Sequence, residues 1–454
     1  MLVSSNSTAA LALAAALALA AGPAAAGWTY QKGNGNQDEN LLGVGVAGQL
    51  GCAAGFAQQG SQPSPLFFRT TDGQSWSAGS FQGYGAAVKM MDDSFGLLGN
   101  MFGKILRTDD GGGTWTELPS ATLGAGTMMD GDFPAEIAIS PDRQKIWIVG
   151  MAGHCSYTSD GGASWTRTEV SVPGGEDSSL LAAAVVGDSV WIAGGVSAAA
   201  EEVDPITEET IPGHPAGSGF VLRSDDGGQS FQSVASGLSY CVNDIDFVNL
   251  DEGWLAGGTA TEGGAVIGSS SDGGASWSTA TPPDLPEEEC FVGMGAATAL
   301  GACFEIDFFG RQVGVAYCNA STWESDGSNG LYLTDDGGQS WTHQPGYREA
   351  IPATGMAEMA LVVAPIHDMS FPDCHTGWLV GQGKIIMRWD NDDPGMDCEA
   401  GGAPGDESAP DDGGEGGSDG DGDGDGGRGG SCGCSAVGSS AGGPLDRLWD
   451  LLVD

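Results

Sequence analysis

Short apolar runs rich in valine, isoleucine and tryptophan, separated by glycine turns, recur from about residue 41 to residue 389. One type of run alternates apolar and acidic residues, as in Ile245-Asp246-Phe247, and a second carries a tryptophan followed by glycine, as in residues 253–258. A third, such as residues 220–223, precedes a polar turn, and an aromatic residue after that turn opens a fourth. Four short strands joined by tight turns form an antiparallel meander, which is one blade of a β-propeller. The pattern therefore predicts an all-β fold built from repeated blades.

The polar turn between the third and fourth runs has a fixed pattern, which we call the box: Ser/Thr, any residue, Asp, Gly, Gly, any residue, Ser/Thr and an aromatic residue. An aspartate in such a turn accepts hydrogen bonds from the backbone N–H groups that follow it, and the glycines supply the positive φ angles of a tight hairpin. Complete copies occupy residues 108–115, 158–165, 224–231, 270–277 and 334–341, and a copy at 70–76 lacks one glycine. We expect a structural role for the box aspartates Asp72, Asp110, Asp160, Asp226, Asp272 and Asp336.

The box resembles the Asp-box, or BNR repeat, of sialidases and related β-propellers. That resemblance implies a structural hairpin that lies away from the ligand, so no box aspartate is expected to be catalytic. Over about residues 41–389, the tryptophan and glycine of the second run and the Arg-Thr/Ser-x-Asp-Gly-Gly of the third also resemble the photosystem II stability/assembly factor family. This second resemblance implies a seven-bladed propeller that binds protein partners without catalysis.

The last unit of the repeat lacks its fourth strand. Six units carry a box, whereas a seventh, residues 366–389, has three runs only. Residues 27–31, Gly-Trp-Thr-Tyr-Gln, match the fourth run Ser-Trp-Thr-His-Gln at residues 340–344. Because ring closure removes exposed sheet edges, we predict that residues 27–31 complete the seventh blade of one propeller spanning residues 27–389. Core packing is expected for Trp147, Trp191, Trp254 and Trp378, and pairing with the acidic box turns for Arg69, Arg107, Arg223 and Arg388.

Both ends of the chain differ from the repeats. Residues 1–26 have the Ala/Leu-rich core and small-residue end of a signal peptide, so we expect export to the periplasm, cell surface or medium, with no membrane span in the mature chain. Residues 390–431 are acidic and glycine-rich, which predicts a disordered low-complexity linker. The Cys-Gly-Cys opening of the final segment, 432–454, resembles the C-terminal sorting segment of myxobacterial surface proteins, which implies processing at Cys432. A disulfide between the tails of two chains and a degenerate signal are the alternatives.

An exported protein enters an oxidising environment, in which its ten cysteines can form disulfides. Nearest-neighbour spacing favours two pairs, Cys290 with Cys303 and Cys374 with Cys398. No pair before the tail has the two-to-four-residue spacing of a zinc site, and the five histidines are scattered. We therefore predict no metal and no cofactor.

Acidic residues outnumber basic ones 61 to 15, and the formal net charge of −46 argues against nucleic acid and anionic membranes as partners. The long insertions either join second to third strands or connect blades, and strand parity places both kinds of loop on the face opposite the boxes, which we call the loop face. Long loops on a rigid scaffold usually carry binding. The candidate contacts for a protein or glycan partner are Trp323, Glu324, Asp326, Tyr347, Arg348 and His214.

Three functional hypotheses follow. The favoured one is an exported, non-catalytic propeller that binds a protein or glycan through the loop face, with no catalytic residue assigned. The alternatives are a secreted glycoside hydrolase of sialidase-like or related propeller type, in which two carboxylates act on a neutral glycan, and a structural cell-surface protein on an acidic stalk. The sialidase resemblance would require three arginines converging on the substrate carboxylate, and only Arg348 falls in a loop of the loop face.

Overall fold

The computed structural model describes residues 27–398, except 35, 37, 60–61, 125–131, 141, 174–177, 197–201, 204–209, 212–218, 260–263, 283–301, 320–329, 345–349, 353–365 and 392–395. Seven four-stranded antiparallel sheets form the blades of a β-propeller, which confirms the predicted fold class. Among the described residues, no helix is long and apolar enough to cross a bilayer.

In blades one to six the strands follow one another along the chain as a meander, whereas blade seven takes its fourth strand from residues 27–32. Blades one to three are β2 (Glu39–Ala47), β3 (Leu50–Gln59), β4 (Gln62–Thr70) and β5 (Ser77–Ala78); β6 (Gly85–Met90), β7 (Gly96–Asn100), β8 (Ile105–Thr108) and β9 (Thr116–Glu117); and β10 (Pro134–Ile139), β11 (Ile146–Gly150), β12 (His154–Thr158) and β13 (Thr166–Glu169). A short 3-10 helix, Pro119–Ala121, follows β9.

Within the described part of the chain, blade four is the one with a further two-stranded hairpin, inserted between its second and third strands. It consists of β14 (Ser178–Val186), β15 (Ser189–Val196), β18 (Gly219–Ser224) and β19 (Gln232–Leu238), with the hairpin β16 (Glu202–Val203) and β17 (Thr210–Ile211). Blades five to seven are β20 (Tyr240–Phe247), β21 (Gly253–Thr259), β22 (Ala265–Ser270) and β23 (Ser278–Ala280); β24 (Ala302–Phe308), β25 (Gly314–Asn319), β26 (Gly330–Thr334) and β27 (Thr342–Gln344); and β28 (Ile366–Asp373), β29 (Thr376–Gly381), β30 (Ile386–Asp390) and β1 (Gly27–Lys32).

The ring closes through the N-terminal strand, as predicted from the match between residues 27–31 and residues 340–344. β1 pairs antiparallel with β30, and Trp28 lies opposite Trp389. The Trp28 side chain is 9% exposed and packs in a core with Trp389 and Met387. Its Nε1 donates to the carbonyl of Gln344, on the neighbouring blade. The first strand of the described chain therefore completes the last blade.

Neighbouring blades are joined by the repeat tryptophans and arginines. Trp191 and Trp254 donate Nε1–H to carbonyls in the next box, at Gly273 and Gly337, each at 2.9 Å. Arg388 and Arg223 reach the carbonyls of Gly73 and Gly273 in the same way, and Arg69 reaches that of Gly111. The four predicted core tryptophans are all buried. Arg107 and Arg223 also pair with Asp109 and Asp225 of their own boxes, and Arg388 pairs with Asp390.

Each box is a closed hydrogen-bonded turn. In the box of Asp110, Oδ1 accepts from the Thr108 hydroxyl at 2.9 Å and from Thr114 N at 2.8 Å, while Oδ2 accepts from the Thr114 hydroxyl. The same bonds recur around Asp160, Asp226, Asp272 and Asp336, and Asp72 accepts from the backbone N–H groups of Gln74 and Ser75. Because these donors stabilise the carboxylate, hydrogen bonds from Ser230 lower the pKa of Asp226 to about 2.

One of the two predicted cysteine pairs is wrong. Cys374 bonds to Cys398, as its spacing predicted, but Cys303 bonds to Cys318 and not to Cys290. Cys303 on β24 and Cys318 on β25 lie directly opposite each other in the antiparallel register. Sequence distance alone did not reveal that register. Cys290 lies outside the described residues, and Cys52 and Cys155 are buried free thiols.

Candidate functional site

The first strands of all seven blades surround one central channel with a volume of about 440 Å³. Each of these strands carries a one-residue β-bulge, seen as a register shift against its neighbour, after Leu41, Gly85, Pro134, Leu180, Val242, Cys303 and Ile366. A bulge shifts the alternation of side chains by one position. The residues beyond it, which include most of the charged groups of these strands, consequently line the channel.

Six carboxyl groups, which we call the channel acids, and the ammonium group of Lys89 line this channel. Immediately after the bulges come Glu136, Asp244, Glu305 and Asp368, and two residues further along come Lys89, Asp246 and Asp307. The small residues at the corresponding positions of the other blades include Ala87 and Ala184. The Ile-Asp-Phe pattern is visible in the sequence, but its place in the channel is not. The missing signal was the bulge, which no residue type marks.

Several channel acids join one blade to the next. Asp244 Oδ2 accepts from Ile306 N and Asp246 Oδ2 from Phe308 N, both at 2.8 Å, which connects blades five and six. Asp368 Oδ2 accepts from Val44 N at 2.7 Å, which connects blades seven and one. An unpaired buried N–H is costly, so these three carboxyls have a structural role at the inner edge of the ring.

The crowding of acids inside the channel changes their protonation. Burial raises the pKa of Asp246 to about 7, with a further contribution from Asp307. Burial likewise raises the pKa of Glu136, Asp244, Glu305, Asp307 and Asp368. Burial would lower the pKa of Lys89, but the negative charges of Glu136, Asp307 and Asp368 outweigh it and raise that pKa. Lys89 therefore stays charged and offsets part of the negative potential.

This protonation pattern predicts a pH-dependent stability. Asp246 has a pKa of about 7 in the folded protein and an ordinary value of 3.8, so its contribution to stability is complete below pH 3.8 and is lost as the pH rises towards 7. We expect Asp246→Asn, which keeps an acceptor for Phe308 N, to raise the melting temperature at pH 8 and to change it little at pH 4. Melting curves at both pH values measure the effect.

The matched control is Asp226→Asn in a box. The pKa of Asp226 is lowered from 3.8 to about 2, so its contribution is present above 3.8 and is lost only as the pH falls through about 2. Asp226→Asn should lower the melting temperature at pH 8 and should not raise it. An Asp246→Asn variant that melts below the unsubstituted protein at pH 8 would contradict the assignment.

The loop-face end of the channel is apolar. Leu42, Phe133, Met151 and Phe304 line it, and Phe133, Met151 and Phe304 remain partly exposed. Tyr84 extends this surface and packs edge-on against Phe102, with ring centroids 5.5 Å apart. We call the four channel-lining residues the channel mouth. Partly exposed aromatic rings around a concave opening suit the apolar face of a sugar or an apolar peptide side chain.

His367 lies just behind this mouth, at the bulge of β28. Its Nε2 atom is buried and has no hydrogen-bond partner among the residues that the structure describes. Burial lowers the pKa of His367 to about 4. The imidazole is consequently neutral at physiological pH and adds no positive charge to the channel.

The candidate contacts proposed from sequence lie outside the described residues. They are Trp323, Glu324, Asp326, Tyr347, Arg348 and His214. Cys432 and the rest of the tail from residue 399 also lie outside them. The structure therefore brings together a different set, the channel acids and the channel mouth.

The closed ring and its central channel define the class of this protein, a seven-bladed β-propeller. No protein-family model matches the chain. A xyloglucanase from a Paenibacillus species is 30% identical over 243 residues, which are 52% of this chain and 18% of that protein. A photosystem II assembly lipoprotein from a Synechococcus strain is 26% identical over 165 residues, 35% of this chain and 39% of that protein.

Solved structures agree with this class. A GH74 enzyme from Niastella koreensis superposes with a TM-score of 0.50 at 14% identity, covering 81% of this chain and 55% of that chain. Identity at this level shows a shared fold and nothing of the chemistry. The chain spans less than half the length of the two curated relatives named above.

Proposed function

We propose that this protein is an exported, non-catalytic propeller that binds a protein or glycan partner on its loop face, over the channel mouth. The observation that carries the proposal is the set of partly exposed apolar side chains, Phe133, Met151 and Phe304, at the loop-face end of a channel that also carries six carboxyl groups. Aromatic side chains that already sit in a rigid ring lose little conformational entropy on binding. The loops that carry Trp323, Tyr347 and Arg348 would surround this mouth and supply further contacts.

A binding role agrees with the use that the channel acids already have. Asp244, Asp246 and Asp368 each accept a backbone N–H from the next blade. A catalytic carboxyl must be free to approach the substrate, whereas both oxygens of Asp244 and Asp368 and one oxygen of Asp246 accept backbone N–H groups of the scaffold. The proposal includes three features that together would display the propeller outside the cell. They are the signal peptide of residues 1–26, the linker of residues 390–431 and processing at Cys432.

The test is direct binding of the purified exported protein to a glycan array, which includes xyloglucan oligosaccharides, and to an array of apolar and charged peptides. We expect Phe133→Ala with Phe304→Ala to weaken binding of any hit at least tenfold. Phe309→Ala with Phe371→Ala is the matched control, because these two rings lie at the box-face end of the channel, 6.4 Å apart. Equal losses from both pairs, or none from the first, would overturn the placement of the site.

A second candidate is a glycoside hydrolase acting on a neutral glycan. It is favoured by the raised pKa of Asp246, about 7, since a carboxyl that remains protonated near neutral pH can act as a general acid. The similarity to a xyloglucanase makes xyloglucan the first substrate to test. Release of reducing ends from xyloglucan, abolished by Asp246→Asn, would replace the binding proposal with this one.

From the positions of the arginines we predict that the protein does not hydrolyse sialosides. A guanidinium is the group that holds a sugar carboxylate in a fixed, bidentate geometry. Among the described residues no arginine lines the channel. Arg143 and Arg311 instead pair with Asp92 and Glu252, and Arg167 donates to the carbonyl of Pro119. We expect no release of free sialic acid from sialyllactose above background, whereas release abolished by Arg348→Ala would contradict this prediction.

A further inference from the structure

Three metal-ligating side chains meet at the box-face corner of blade seven, away from the channel. Cys374 and His375 form the turn between β28 and β29, and Cys398 follows the end of β30. One ligand atom from each residue lies within 4.8 Å of the other two. The sulfurs are joined as a disulfide between residues 24 apart in sequence, with their Cα atoms 5.6 Å apart. Short-spacing rules for zinc sites could not find this group, because the fold brings its members together.

The imidazole of this group is held in one tautomer. His375 Nδ1 lies 3.1 Å from the carbonyl oxygen of Asn391. Because a carbonyl only accepts, Nδ1 carries the proton and Nε2 keeps its lone pair. Asn391 N also donates to the His375 carbonyl at 2.7 Å, which fixes the two segments against each other. Metal-binding histidines are commonly oriented in this way, by a backbone carbonyl on the second nitrogen.

We propose that Cys374, His375 and Cys398 form a zinc site when their disulfide is reduced, so that this corner is closed by a disulfide in the oxidised protein and by Zn²⁺ in the reduced one. Two thiolates and one imidazole are a donor set that zinc accepts, with water in the fourth tetrahedral position. In such a site the sulfurs lie about 3.8 Å apart, which the neighbouring Cα positions permit. Cys374 is buried, whereas His375 and Cys398 are partly exposed, so an ion can enter from outside.

The chemistry balances with a dithiol as the reductant. The dithiol supplies two electrons and two protons, the Cys374–Cys398 bond breaks to give two thiols, and the dithiol becomes a disulfide. Zn²⁺ then forms two Zn–S bonds and one Zn–N bond, and the two thiol protons pass to solvent. Zinc affinity therefore falls as the pH is lowered.

The site would also fix the path of the chain beyond the propeller. Asn391 donates Nδ2–H to the sulfur of Met396 at 3.2 Å, so the segment that brings Cys398 back already lies against this corner. Either form of the closure keeps Cys398 attached to blade seven. The exchange of one closure for the other changes the chemistry of the corner and leaves the ring intact.

The test uses the full chain, reduced anaerobically with a dithiol that is then removed by gel filtration. Titration with Co²⁺ should give one equivalent with a thiolate charge-transfer band, and one equivalent of Zn²⁺ should remove that band. The oxidised protein should give neither. Absence of the band in the reduced protein, or an equal band in the oxidised protein, would overturn the proposal.

Matched variants separate this site from adventitious binding to thiols. His375→Ala retains the disulfide and should lower Zn²⁺ affinity at least about tenfold, whereas His154→Ala, at a partly exposed histidine beside Asp132, should change nothing. Cys303→Ser with Cys318→Ser should keep the site, and Cys374→Ser with Cys398→Ser should abolish it. Equal affinities for His375→Ala and the unsubstituted protein would show binding to free thiols only, even if the cysteine variants fail to fold.

Discussion

Removal of residues 27–31 is expected to lower the melting temperature of the protein by more than about 10 °C, because it opens the ring. The deletion removes the strand that pairs with β30 from Asp390 to Met387. It also removes the Trp28 side chain from a core shared with Trp389 and Met387, and loss of a buried tryptophan alone costs about 3–5 kcal/mol. The exposed edge of β30 would further promote association between chains.

Single substitutions in the same strand provide the control. Trp28→Ala should reproduce most of the loss, whereas Thr29→Ala, at an exposed position opposite Arg388, should change the free energy of unfolding by less than about 0.5 kcal/mol. Thermal unfolding followed by tryptophan fluorescence and by circular dichroism measures both. A deletion variant with an unchanged melting curve would show that blade seven is stable without its fourth strand.

Gly228→Ala is expected to be strongly destabilising, because a Cβ at this position would overlap the indole ring of Trp147 in the preceding blade. Gly228 has φ +87°, and Trp147 is 1% exposed and stacked on Tyr157 at 4.6 Å, so neither backbone nor ring has room to move. Gly227 provides a close control, since it belongs to the same box, has φ +72°, and has open space around its Cβ position.

The two variants separate backbone strain from overlap between blades. Gly227→Ala should cost about 1–2 kcal/mol for the left-handed conformation alone, and Gly228→Ala about 3 kcal/mol more for overpacking. Trp147→Leu in the Gly228→Ala background should recover part of that difference, as a double-mutant cycle would measure. Equal losses at the two glycines would mean that the tryptophan does not press against the box.

The fold could be predicted because its information is local and repeated. Every box fixes one turn through its own aspartate and glycines, and every strand is short, so the repeat determines the blade without knowledge of distant contacts. The closing strand was also predictable, since residues 27–31 resemble the strand that they replace. The mature N-terminus, the signal peptide and the tail remain predictions.

The residues that line the channel and the partner of Cys303 could not be predicted, because both depend on strand register, which no residue type marks. In β20 one bulge moves Asp244 and Asp246 towards the channel and turns Ile245 and Phe247 into the core between blades. A one-residue change of register reverses every assignment of that kind. The pair Cys303–Cys318 was missed for the same reason, because strand register and not sequence distance selects the partner.

The point where the ring closes, between β1 and β30, distinguishes the two faces of the propeller. Gly27 and Asp390 lie opposite each other in register, at the ends of β1 and β30 that face the boxes. The described chain therefore begins and ends its path through the propeller at the box face of blade seven. An anchor attached beyond residue 398 would tether the protein by its box face, and the channel mouth would then point away from the anchoring surface, towards whatever approaches from the medium.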